Sequence, residues 1–144
     1  MSDQVRSSSY GNSIDDVELS RLILKCAFKV HTKLGSGLLE TVYRTCLAYE
    51  LRKLGLIAIE ELYFKVVYDQ MVFDKGFRMD ILVEDRYVVE LKVVEKIIQN
   101  HKSTTLSYMR LAGVKRGLVL NFAESSLKDG ISRLVLKDNR NFFD

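Results

Sequence analysis

From residue 13 onward, apolar residues recur at Leu19, Leu22, Ile23, Cys26, Ala27, Val30 and Leu34, a spacing of three and four that lays one stripe along an α-helix. Ser13, with Asp16 three positions on, has the form of a capping box at its start, and Gly35-Ser36-Gly37 ends it. A second stripe, Leu39, Val42, Tyr43, Cys46 and Leu47, predicts a helix over residues 38–54 with Gly55 as its C-cap. The period then drops to two. Residues 57–69, 77–83 and 87–94 read as strands, with turns at 69–76 and 84–86. A polar-started helix over 100–112 ends at Gly113, and the apolar run 117–122 has the character of a buried strand. A weak amphipathic element covers 127–136.

The order α, α, β, β, β, α, β is that of an α/β fold with a sheet flanked by helices. A chain of 144 residues is long enough for one core and too short for two. Residues 14–136 are expected to form the single domain. The polar, Ser-rich residues 1–13 read as a flexible tail and residues 137–144 as a frayed end.

Composition changes this picture little: 47% hydrophobic and 28% charged residues are ordinary for a globular protein, which excludes wholesale disorder and a fibrous chain. The net charge of +3, with a pI near 8.8, is compatible with a polyanionic partner but weaker than the basic footprint of a dedicated nucleic-acid clamp. Cys26 and Cys46 fall at apolar helical positions with no Cys or His at a metal-ligand spacing, so they read as buried, reduced thiols. His31 and His101 read as polar surface residues. No apolar run is long enough to span a membrane, and the first residues lack the apolar core of a signal peptide, so a cytoplasmic location is expected.

The chemistry enters through the strand register. Phe77, Met79, Ile81 and Val83 alternate with Arg78, Asp80 and Leu82, while Tyr87, Val89, Leu91 and Val93 alternate with Val88, Glu90 and Lys92. With Glu84-Asp85-Arg86 as a hairpin loop, Val83 pairs with Tyr87, Ile81 with Val89, Met79 with Leu91 and Phe77 with Val93, every pair apolar. The same register sets Asp80 opposite Glu90 and Arg78 opposite Lys92; a slip of one residue would spoil both faces. Like charges across a sheet cost on the order of 0.2–1 kcal/mol, so the pair asks for a cation. Mg²⁺, with Mn²⁺ as substitute, prefers such hard oxygen ligands. An ammonium at Lys92 on the same face would stabilise charge developing on a phosphoryl group, as metal-assisted hydrolysis requires. A solvated salt-bridge ladder of Asp80, Glu90, Arg78 and Lys92 is the competing reading. Against it, Leu82, Val88 and Val94 share the face and suggest that it is covered.

Asp80 followed after a hairpin by Glu90-Leu91-Lys92 resembles the PD-(D/E)XK nuclease superfamily, although Met79 stands where the name has proline. Gly37-Leu38-Leu39-Glu40-Thr41-Val42-Tyr43 looks like the signature of its GxxExxY family. The segments LAYELRKLG, FRMDILVEDRYVVELKVVEK, GLVLNF and LKDGISR extend the likeness over roughly 100 residues, Leu34 to about Arg133. The resemblance implies a restriction-endonuclease-like core with a central mixed sheet, and a metal-dependent nuclease acting on DNA. It implies that Glu40, Asp80 and Glu90 hold Mg²⁺, that Lys92 joins them as a catalytic residue, and that Tyr43 backs Glu40 one turn later. Relatives carry a Gln four residues before Tyr108, where this chain has Thr104; a shorter side chain there would lower activity. A nuclease-fold module that binds nucleic acid or a protein without turnover is the second expectation. The first helix or an apolar strand face could also serve as the seam of a homodimer.

Overall fold

The computed structural model describes Ser8, Tyr10 and residues 13–137. The remainder of the expected tail and the end from residue 138 lie outside the described residues. Of the tail, the Ser8 hydroxyl donates to Glu84 Oε1, and Tyr10 packs against the core.

Helix α1 spans Asp16–Leu34 and is capped by Asp15, whose carboxylate accepts from the Glu18 amide at 2.8 Å, two residues beyond the cap expected at Ser13. Helix α2, Glu40–Lys53, follows the Gly35–Gly37 turn, both of whose glycines have positive φ (70° and 103°). Strands β1 (Ala58–Tyr68), β2 (Met71–Val83) and β3 (Tyr87–Lys92) come next. Helix α3 (Gln99–Ala112), closed by left-handed Gly113, crosses over to β4 (Arg116–Asn121). The weak element expected at 127–136 is a 3₁₀ turn, Leu127–Gly130, followed by a fifth strand, β5 (Ile131–Val135).

The strands lie side by side in the order β1-β2-β3-β4-β5, antiparallel except for β3 with β4. A parallel pair needs a crossover, and α3 supplies it. Helices α1 and α2 cover one face over Ile81, Val83, Val89, Leu91, Leu118 and Leu120. On the other face Met109 of α3 packs on Leu82, Val88 and Val119. Because β3 and β4 are covered on both sides, they are apolar runs rather than alternating ones. The fold is the restriction-endonuclease-like α/β arrangement that the sequence led us to expect.

Two expectations about β2 change. Residues 71–76 are strand, and the turn is only Asp69 and Gln70, with Asp69 at φ 51°. The ribbon formed by the far ends of β1 and β2 exposes Val67, Tyr68, Met71, Val72 and Phe73, so it has no buried face to impose a period on its sequence. Gly76 is required where the register shifts between Phe64 and Val66, because a Cβ there would lie 2.3 Å from Val66 Cγ2. The second change concerns the single apolar face expected from Phe77 to Val83. Phe77 and Met79 pack on the α3 side, whereas Ile81 and Val83 pack under α1 and α2. The change of side falls at Asp80. Opposite it in the β1–β2 ladder Glu61 has φ 51°, which breaks the regular pleat.

Among the described residues no helix is long and apolar enough to cross a membrane.

Candidate active site

Strand β3 stays paired with β4 to its end, through Glu90 with Val119, Leu91 with Leu120 and Lys92 with Asn121. Its ladder with β2 runs only from Val83–Tyr87 to Ile81–Val89. The pairs expected beyond it, Met79 with Leu91 and Phe77 with Val93, do not form. At Asp80 and Glu90 the strands part, and side chains take the backbone donors that the ladder releases. The Asp80 amide donates to Glu90 Oε1 at 3.0 Å, and the Leu91 amide donates to Asp80 Oδ2 at 2.9 Å. A buried amide without a partner is costly, so these bonds hold the fork open in one geometry.

Both carboxyl groups are nearly dry, Asp80 being 3% and Glu90 6% exposed. Burial, and after it the neighbouring Asp80 charge, push Glu90 up to about 9, opposed by the hydrogen bond from the Asp80 backbone. Without a cation Glu90 therefore keeps its proton at neutral pH. Glu40 lies on the first turn of α2, half-buried, and its carboxyl is also raised, first by burial and then by Asp80. Lys92, Arg78 and Arg44 pull it the other way. The Tyr108 phenol is raised by burial and then by Glu90 and Asp80. Glu40, Lys92 and Tyr108 thus surround the Asp80–Glu90 pair closely enough to exchange charge effects with it.

The remaining residues singled out in the sequence are placed as follows. Tyr43 lies in the core beneath the turn that precedes Glu40. Its ring is fully buried and stacked on Phe122, with centroids 4.7 Å apart. Its hydroxyl donates to the Gly35 carbonyl at 2.6 Å and accepts from the Leu38 amide at 3.1 Å, closing the turn that leads into Glu40. Tyr108 ends an aromatic stack, Phe64 on Phe77 on Tyr108, with centroids 4.9 and 4.8 Å apart. Thr104 is exposed on α3, one turn before Tyr108. His101 is half-buried and accepts from the Ile98 amide at the start of α3. His31, expected at the surface, is buried, with Nε2 2.9 Å from the Glu124 carbonyl. Cys26 is buried and Cys46 partly so, both free.

Asn121 and Arg44, which the sequence did not single out, and Arg78 of the expected ladder also reach the fork. Asn121, fully buried, accepts from the Val94 and Ala123 amides and donates to the Val94 carbonyl, fixing the chain just after Lys92. Arg44, one turn after Glu40 on α2, binds Glu61 at 2.8 Å, and Arg78 spans Glu61 at 3.3 Å and Asp80 at 3.4 Å. The i, i+4 spacing of Glu40 and Arg44 was the available signal for this network.

Among the described residues no three Asp, Glu, His or Cys side chains stand close enough to form a closed ligand group. Asp80 and Glu90 meet through hydrogen-bonded backbone amides, and Glu40, near enough to feel the Asp80 charge, does not close a group of three with them. The donor set nonetheless suits a hard divalent cation: the neighbouring acids are all carboxyl groups, and the two that meet are buried and repel one another.

The family model for the PD-(D/E)XK nuclease superfamily matches residues 17–134. No curated protein and no solved structure matches the chain. Members of that superfamily usually hydrolyse phosphodiester bonds and generally use divalent metals.

Proposed function

The chain belongs to the PD-(D/E)XK nuclease superfamily, and on that premise we propose that it is a Mg²⁺-dependent deoxyribonuclease working at the fork between β2 and β3. Within the superfamily, the likeness of Gly37–Tyr43 to the GxxExxY signature supports that family as its subgroup. One observation carries the proposal: Asp80 and Glu90 are buried side by side where β2 and β3 part, each tied to the other strand by a backbone amide.

Asp80 and Glu90 would hold the cation, with Glu40 completing the set by turning its side chain toward them. Mn²⁺ substitutes readily for Mg²⁺ in such an oxygen site. When bound, the cation polarises the phosphodiester and makes water a better nucleophile. Every other task falls to the chain itself. The Leu91 amide orients Asp80, and the Asp80 amide orients Glu90. Glu90 must release its proton before it can act as a ligand. Lys92, fixed from behind by the bond of its carbonyl to the Phe122 amide at 2.9 Å, offers an ammonium to the charge that grows on the phosphoryl oxygens. Tyr108, braced by the aromatic stack, offers a hydroxyl at the edge of the same site.

Purified protein with Mg²⁺ or Mn²⁺ should cut DNA, and Asp80→Ala should not. Failure of the wild type on single-stranded, double-stranded and branched substrates alike would overturn the proposal, and salt-dependent binding without turnover would then mark the chain as a binding module.

A further inference from the structure

Each carboxylate at the fork spends one oxygen on the backbone: Glu90 Oε1 accepts from Asp80, and Asp80 Oδ2 from Leu91. The Asp80 oxygen left for a cation is Oδ1, and that atom faces Arg78 Nη2 at 3.4 Å. The other terminal nitrogen of Arg78 lies 3.3 Å from Glu61 Oε1. Both contacts are long, and the side chain is 38% exposed. Arg44 is the opposite case. Its side chain is only 9% exposed, and its Nη2 grips the same Glu61 at 2.8 Å. Glu61 is therefore anchored from one side, and Arg78 rests on it from the other.

The backbone supports the same division. Glu61 lies opposite Asp80, between the pairs Glu60–Ile81 and Leu62–Met79, and adopts a left-handed conformation that L residues seldom take. Such strain is kept where surrounding contacts fix it, and here the fixed point is the arginine-bound carboxylate.

We propose that Arg78 is a stand-in cation. In the free protein it neutralises Asp80 from the side where a divalent ion binds; when the ion arrives, Arg78 turns about Glu61 and its guanidinium takes a phosphate oxygen of the nucleic-acid backbone. A planar guanidinium suits both partners, carboxylate and phosphate. The exchange keeps a cation beside Asp80 throughout and delivers a phosphate contact only once the site is loaded. The nature of the phosphate ligand rests on the nuclease reading above.

The test uses the full chain and two binding measurements, neither of which needs turnover. Mn²⁺ affinity is measured by calorimetry, and affinity for a short DNA duplex by fluorescence anisotropy in Ca²⁺. Removing a competing cation and a phosphate contact moves the two affinities in opposite directions. Arg78→Gln should bind Mn²⁺ about ten-fold more tightly and DNA about ten-fold more weakly, with the salt dependence of DNA binding reduced by about one counterion. Arg78→Lys, which keeps the charge but loses the fork geometry, should fall between wild type and Arg78→Gln in both, and it serves if the glutamine variant does not fold.

Unchanged or weaker Mn²⁺ binding in the variants would overturn the proposal, even with weaker DNA binding, since Arg78 would then be a plain phosphate contact. Unchanged DNA binding would overturn it equally. A wild type that binds neither Mn²⁺ nor DNA would remove the nuclease reading as well, whereas a wild type that binds both, with variants that alter neither, would remove only the role of Arg78.

Discussion

The amide of Asp80 donates to Glu90 Oε1 at 3.0 Å, so the carboxyl groups proposed to bind the cation also tie together the strands that carry them. Charge and structure at this point are therefore separable by substitution.

Glu90→Gln keeps the accepting oxygen and removes the ionisable proton. At pH 8 without metal the variant should be more stable than the wild type by about 1–3 kcal/mol, because folding the wild type at that pH requires Glu90 to take up a proton, which an amide of the same shape does not need. Cleavage should fall by about 10²-fold or more. Urea unfolding and a gel assay read the two effects. A variant less stable than the wild type would show that Glu90 is held as a stabilised anion.

Stability of the metal-free protein should decline as pH rises from about 5 toward 9. The unfolded chain gives up the Glu90 proton near 4.5, whereas the folded protein keeps it to about 9. Between those values the folded state binds the extra proton, so raising the pH favours unfolding. Mn²⁺ should reverse the trend. It displaces the proton, binds more tightly at pH 8 than at pH 6, and at a hundred times its dissociation constant adds about 2.7 kcal/mol. Thermal melts across pH with and without Mn²⁺ test both halves, and a metal-free protein more stable at pH 8 than at pH 6 would contradict the first.

Tyr43→Phe removes only the hydroxyl that bridges Gly35 and Leu38. The expected loss of stability is about 1 kcal/mol, since the turn is partly open to water. Activity should fall further than that loss explains, because α2 begins at Glu40, immediately after the turn. A cleavage rate equal to that of the wild type would mean that the turn does not set the position of Glu40.

Much of this arrangement was legible in the chain. Alternation marked the β2–β3 hairpin, whose register from Val83–Tyr87 to Ile81–Val89 is the expected one, and so brought Asp80 near Glu90 even though the ladder stops short of them. Period and caps marked α1, α2 and α3. What escaped was set by contacts distant in sequence. The split of Phe77 and Met79 from Ile81 and Val83 depends on the backbone of Glu61 in another strand. Strand β5 is short and half exposed, so its five residues carry little pattern. Tyr43 has the spacing of a residue beside Glu40, but Phe122, far along the chain, draws its ring into the core. His31 is buried for a similar reason, its ring 6.0 Å from that of Phe122.

Thr104→Gln should raise the cleavage rate several-fold. Thr104 is exposed one turn before Tyr108, and a longer amide there could extend toward the fork. An exposed helical position tolerates the change, so stability should shift by no more than about 0.5 kcal/mol. Single-turnover kinetics would decide the matter, and an unaltered rate would separate Thr104 from the chemistry.

Strand β3 lies between β2 and β4, is covered on both faces, and carries Glu90 and Lys92 at the end where β2 parts from it. Its amides should be among the slowest in the protein to exchange with deuterium, opening only when the whole fold opens. Two of the proposed catalytic groups, Glu90 and Lys92, are then mounted on the least mobile element of the protein. Heat should abolish activity at the temperature of global melting rather than before it, and any adaptation to differently shaped substrates must come from the exposed ribbon and the substrate itself.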